Sequence, residues 1–202
     1  PDVWAFARAA HLFLAAGKTE DADAAIARAL EDSAGTRVTV GLAERWFDAI
    51  LPVRGQDGLL LRTRAAERAL SLGDAKGALR WCESAQALKP REPSTALLMG
   101  QVLVHLGDPV AARVSLEHAH AWARDDEQRA RALAELAEVA FLSGDLEAAS
   151  EHAKQAGTLA SAASTQLAAR NTLGKMLLLR GRWEEADRHF AEDALFASSA
   201  GE

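Results

Sequence analysis

Two histidines, His118 and His120, stand two residues apart in a helix-forming run. A metal-binding pair on a helix needs a step of three or four residues, because only those positions share a face. A step of two turns the rings away from each other, so they read as unrelated. His152 and His189 lie eight residues after Gly144 and Gly181, and Trp81 fills the same slot after Gly73. No carboxylate or cysteine recurs with them, so a surface role is expected rather than a ligand pair. Cys82 is the single cysteine, which leaves no intrachain disulfide and no cysteine-rich metal site. It falls among large apolar residues and reads as a buried structural thiol. The stretch "GKTED" at Gly17 has the tail of a phosphate loop, but neither the first glycine nor a preceding strand, and reads as an interhelical turn. "LRTRAAER" gathers Arg62, Arg64 and Arg68, read as a solvated face, with a small site for an anionic peptide as the alternative. None of this forms a catalytic constellation. No metal and no cofactor is expected.

The elements that carry these residues are helices. Alanine dominates the 202 residues, Tyr is absent and prolines number five. That composition favours helix over strand. The net charge of −6 argues against a nucleic-acid binder and suits an anionic membrane surface poorly. No apolar run approaches the ~20 residues of a spanning helix. The start lacks a basic leader and an initiator Met, so the expectation is a segment of a longer, cytoplasmic protein.

Five glycines close one helical run and open another: Gly17, Gly73, Gly107, Gly144 and Gly181. The last four are spaced 34, 37 and 37 residues apart. Seven residues before each lie Ala10, Ala66, Gly100, Ala137 and Gly174. Five after lie Ala22, Ala78, Ala112, Ala149 and Ala186. Twelve after lie Ala29, Ala85, Ala119, Ala156 and then Asp193, the one departure. A period of this kind marks a repeat. Each glycine ends a helix in the left-handed conformation, and Asp74, Asp108 and Asp145 follow as caps for the next. Small residues at the helix crossings let two antiparallel backbones approach. Larger residues such as Leu116, Phe190, Leu136 and Leu173 fill the layers between.

On these residues the units resemble tetratricopeptide repeats. Leu173-Gly174 matches the family's Leu-Gly pair, Met99-Gly100 matches it with Met for Leu, and Pro90 stands at the closing Pro. The resemblance covers roughly residues 3–34 and 58–198. The early Trp is missing, the Tyr is replaced, and two spacings are 37. The longer spacings resemble versions found in large bacterial signalling and regulatory proteins. The resemblance implies an all-α, right-handed superhelical solenoid of antiparallel helix pairs, with about 11 helices. The expected organisation is a first pair over 1–34, an irregular extra helix and linker over 35–57, and four pairs over 58–92, 93–125, 126–161 and 162–202.

The surplus at 36–58 repeats Val38, Leu42, Trp46 and Ile50 every four residues, one amphipathic helix. It fills the junction with its apolar face, or it offers Trp46 and Phe47 as a docking surface. A single extra helix reverses the alternation, so a break is expected between 1–34 and 58–202.

Six residues before each glycine lie His11, Glu67, Gln101, Glu138 and Lys175, polar every time and outside the core stripe. Near them in angle lie Thr63, Asn171, Ser94, Arg131 and His105. In the family resembled, this face of the first helices lines the groove that takes peptides or partner helices. A solvated wall without ligand is the alternative. No position pair gives the Lys-then-Asn order with which one subfamily grips C-terminal carboxylates, so no such clamp is expected.

The function expected is a non-enzymatic protein–protein interaction or scaffold module. Its partner-binding residues would be His11, Thr63, Glu67, Gln101, His105, Arg131, Glu138, Asn171 and Lys175. The alternative is a regulatory sensor array within a larger signalling or transcription-regulating protein that carries a kinase, ATPase or DNA-binding domain. Nothing recommends an enzyme. The C-terminal helix, with Phe190, Leu195 and Phe196, lacks a capping helix, so self-association through it is a further expectation.

Overall fold

A computed structural model describes residues 55–201 and, before them, Ala9, Leu12, Ala16 to Lys18, Asp21 and Ala25. His11, Trp46, Phe47 and the expected extra helix lie outside the described residues. The chain divides into two compact units, Pro1–Pro90 and Arg91–Glu202.

Within the first unit, α1 (Gly55–Ser71) and α2 (Ala75–Leu88) form an antiparallel pair. The second unit holds three pairs: α3 (Pro93–His105) with α4 (Pro109–Trp122), α5 (Asp126–Leu142) with α6 (Leu146–Leu159), and α7 (Ala163–Leu179) with α8 (Trp183–Ala200). These eight helices, with no strand, are the secondary structure of residues 55–201, and the described Ala9, Leu12, Asp21 and Ala25 are helical as well. The about 11 expected over the whole chain include helices in the part outside them.

One turn design joins every pair. Gly73, Gly107, Gly144 and Gly181 have φ between 71° and 80°, which a side chain would resist. The N–H of the residue after each glycine donates five residues back: Asp74 to Ala69, Asp108 to Leu103, Asp145 to Ala140 and Arg182 to Leu177, at 2.9–3.0 Å. These bonds satisfy the last carbonyls of the helix. Three of the turns then cap the next helix as expected. The N–H groups of Gly77, Ala111 and Ala148 donate to the carboxylates of Asp74, Asp108 and Asp145. Arg182 breaks the series and α8 has no side-chain cap. Instead Arg182 pairs with Glu185 one turn on.

The small-residue columns are the helix crossings. Ala66, Ala78, Ala85, Ala112, Ala137, Ala149, Ala156 and Ala186 are fully buried. A Cβ on Gly100 would lie 2.5 Å from Leu116, and one on Gly174 2.6 Å from Phe190. In the second unit Leu97, Leu116, Leu133, Leu136 and Val139 fill the space between the crossings. Cys82 is 1% exposed, as its column required, and burial, the leading cause, pushes its thiol up to about 12.

Two expectations need correction. Arg62 does not lie on a solvated face. It is 1% exposed, donating to the Gly58 carbonyl (2.7 Å) and to Ser84 Oγ (2.9 Å), because its position repeats the core column of Ala96 and Leu133. His189 is not a surface residue either. Its Nε2 donates to the Arg170 carbonyl (2.8 Å) and lies 3.5 Å from Asp193. Asp193, the one departure from the small-residue column, is buried and pairs with Arg170. Trp81, in the same slot as His189, is buried too.

The two 37-residue spacings have one cause. α3 has 13 residues, whereas α5 and α7 have 17 each, and the second helices α4 and α6 have 14 each. The added length is about one turn at the start of the first helix.

Candidate functional site

α5 packs beside both α3 and α7, so the three first helices of the second unit lie side by side. The polar column six residues before each glycine therefore forms a row across them. Gln101 on α3 donates through Nε2 to Glu135 on α5 at 2.6 Å. Glu138 on α5 accepts two bonds from Lys175 Nζ on α7, at 2.7 and 2.9 Å, and one from Thr172 Oγ1 at 3.3 Å. The ion pair is about 30% exposed on both sides, 33% for Lys175 and 28% for Glu138. It is ordered yet accessible.

The remaining sequence candidates flank this row. His105, Arg131 and Asn171 are exposed. His105 Nδ1 is 2.9 Å from the Gln101 carbonyl, which only accepts, so that nitrogen carries the proton. Ser94 is exposed at the start of α3. In the first unit, Glu67 is exposed on α1, while Thr63 Oγ1 turns back to the Leu60 carbonyl (2.9 Å) and so is committed to its own helix. The structure thus joins Gln101, Glu138 and Lys175 to partners on neighbouring helices and leaves His105, Arg131 and Asn171 facing solvent.

Two residues at this seam were not singled out from the sequence. Glu135 stands one turn before Glu138. Burial pushes its carboxyl above the ordinary range, and Glu138 adds to the rise. The Gln101 bond, Arg131 and His105 oppose it. The sequence signal was faint: a carboxylate in the slot that holds Leu98 and Thr172 in the flanking first helices. Glu127, in the added turn of α5, reaches to the start of α7. It accepts from the N–H groups of Ser161 (2.7 Å) and Ala162 (2.9 Å), from Ser161 Oγ (2.9 Å) and from Thr165 Oγ1 (2.5 Å). Ala162, at the cap position of α7, has no side-chain oxygen of its own to offer. Desolvation opposes ionisation of Glu127, but the bonds from Thr165, Ala162 and Ser161 together outweigh it and bring the carboxyl down to about 2.

No group of three His, Cys, Asp or Glu suited to a metal occurs among the described residues. His118 stacks on Trp122, with ring centroids 4.8 Å apart, and does not pair with His120. A shallow hollow of about 480 Å³ lies elsewhere, along α6 from Leu146 to Gln155 and beside Arg180. No described helix is long and apolar enough to cross a membrane. On the last helix Leu195 is 73% exposed, and Phe190 and Phe196 are half-buried.

Paired antiparallel helices, left-handed glycine turns and small-residue crossings define an α-helical repeat protein. The comparisons identify which repeat. Residues 69–136 match the family described as "Tetratricopeptide repeat". Residues 69–136 therefore carry tetratricopeptide repeats. No curated protein matches the sequence. Among solved structures, MamA is similar with a TM-score of 0.56 and 14% identity over 93% of each chain. A thermophilic TPR protein of Thermus thermophilus, TTC0263, gives 0.50 and 20% identity over 85% of this chain and 99% of that one. The Cut9–Hcn1 hetero-tetramer of APC/C gives 0.59 and 15% identity over 98% of this chain and 40% of that one. These likenesses concern the fold.

Proposed function

We propose that this chain is a non-enzymatic protein–protein interaction module whose first-helix face receives a peptide or helix from a partner protein. The observation that carries the reading is the row across α3, α5 and α7. Gln101–Glu135 and Glu138–Lys175 are held in place between helices, with exposed His105, Arg131 and Asn171 beside them. Groups fixed before binding lose little entropy on binding, which favours recognition. Stacked repeats supply an extended surface for such contact. The Cut9–Hcn1 assembly shows a similarly folded chain in complex with another protein. In the first unit, Glu67 is the exposed residue at the equivalent position of α1.

The test is cross-linked capture from the source cell's lysate, with the parent chain beside two variants. The Glu138→Lys/Lys175→Glu exchange keeps an ion pair between α5 and α7 while reversing the charge offered at each point. Arg131→Glu changes an exposed group. Loss of one partner from both folded variants supports the first-helix face. Equal retention by both moves the site elsewhere, and capture of nothing by the parent removes the reading.

A further inference from the structure

The repeat supplies its own control for the opposite face. Three, seven and eleven residues after the turn glycine, the second helices point away from the core. In α2 these positions hold exposed Lys76 and Arg80, with Ser84 turned toward Arg62, in α6 Glu147, Glu151 and Gln155, and in α8 Glu184, Arg188 and Glu192. Most are charged, as an outer face in water requires. In α4 the same positions hold Val110, Val114 and His118. Val110 is 75% exposed and Val114 49%, yet both are β-branched and apolar. His118 continues the row by stacking flat on Trp122, at an interplanar angle of 7°. Val110, Val114 and His118 step by four along one side of α4, a ridge of about 12 Å that ends on Trp122, itself packed against the core. Such i, i+4 ridges are what helices pack against one another.

We infer that the outer face of α4 is a self-association surface, on which α4 of a second copy packs antiparallel about a two-fold axis. Two features of the ridge select a second copy. Its ends differ in bulk, with valines at the start and the His118–Trp122 stack at the end. Antiparallel pairing sets the stack of one copy against the valines of the other. Its charges also match. Arg113 and Glu117 lie on the same edge of the ridge, and a two-fold near residues 115 and 116 brings Arg113 of each copy beside Glu117 of the other. An isologous contact requires this kind of self-complementarity. One helix face buries less than the about 1,200 Å² of stable interfaces, so the association is weak and concentration-dependent.

Sedimentation equilibrium of the full chain, carried up to about 1 mM, tests this. The parent's weight-average mass is expected to rise toward twice the monomer's. Val114→Glu is expected to stay monomeric, and Arg113→Glu to weaken association about tenfold. Arg113→Glu/Glu117→Arg should recover most of that loss. Leu195→Glu, on the exposed part of α8, should associate like the parent. These side chains lie on outer surfaces, and circular dichroism confirms that each variant is folded. A parent that remains monomeric throughout overturns the inference, and any partner bound through Val110 and Val114 would then be a different protein. Association abolished by Leu195→Glu and untouched by Val114→Glu overturns it too, placing the contact on α8.

Discussion

Two carboxylates on α5 carry opposite pH signatures. Glu127 is held well below the ordinary value of 4.5 by its bonds to the start of α7. Its stabilisation is present in full above about pH 4.5 and fades as pH falls toward about 2. Glu127→Gln is therefore expected to cost about 1 kcal/mol at pH 7, a figure reduced for solvent screening, and much less at pH 3. Urea unfolding at both pH values measures the difference. Glu135 behaves the other way, because its folded carboxyl sits above the ordinary range. The charged form is disfavoured by folding, so its contribution is best below the ordinary value and worsens as pH rises through the raised one. Glu135→Gln keeps the shape, and is expected to be at least as stable as the parent at pH 7. Its urea midpoint should vary less between pH 4 and pH 8. Neither role was open to a reading by period. Glu127 and Thr165 are 38 residues apart in different repeats, and a carboxylate that caps another helix looks like any acid of a first turn.

At the scale of the helix pair, packing was legible and charge was not. Small residues at fixed offsets from a glycine announce a close crossing, because nothing larger fits, and every described position in those columns is buried. The exceptions are instructive. Arg62 and Asp193 occupy core columns with polar groups, which a period can flag as departures but cannot pair. Asp193 is answered by Arg170, and the two are 23 residues apart. Asp193→Ala restores the column yet leaves the Arg170 charge only its longer contact with exposed Glu192, at 3.5 Å. It is expected to destabilise more than Arg170→Leu/Asp193→Ala, in which the pair leaves together. A double-mutant cycle by denaturant titration reads the coupling. The crossings make a second prediction through glycine alone. Gly100→Ala forces a methyl against Leu116 and is expected to cost about 1–3 kcal/mol. Gly157→Ala, on α6, meets nothing within 4 Å and should gain about 0.5–1 kcal/mol from helix propensity. Thermal unfolding of the two variants should shift in opposite directions.

Across the whole molecule the two units offer separate reporters, since the single thiol belongs to the first. Cys82 is buried and its ionisation is pushed up to about 12, so labelling needs local opening. An aromatic disulfide reagent at pH 8 is expected to react about a thousandfold more slowly than with the chain in denaturant. A comparable rate would mean that the α1–α2 pair is open much of the time. The period foretold the paired architecture because each pair repeats the same local solution. Which outer and inner faces meet other molecules depends on single substitutions such as Val110 and Val114, which no period encodes. The added turn of α5 and α7 bears on the history of the chain as well. A helix lengthened by about one turn keeps every later side chain at nearly its former angle, whereas two inserted residues would rotate them by about 200°. Insertions of three or four codons at the start of a first helix are thus absorbed without disturbing the crossings downstream. Spacings between successive glycines in such a gene should accordingly drift in steps of a turn, leaving 35 and 36 sparsely used.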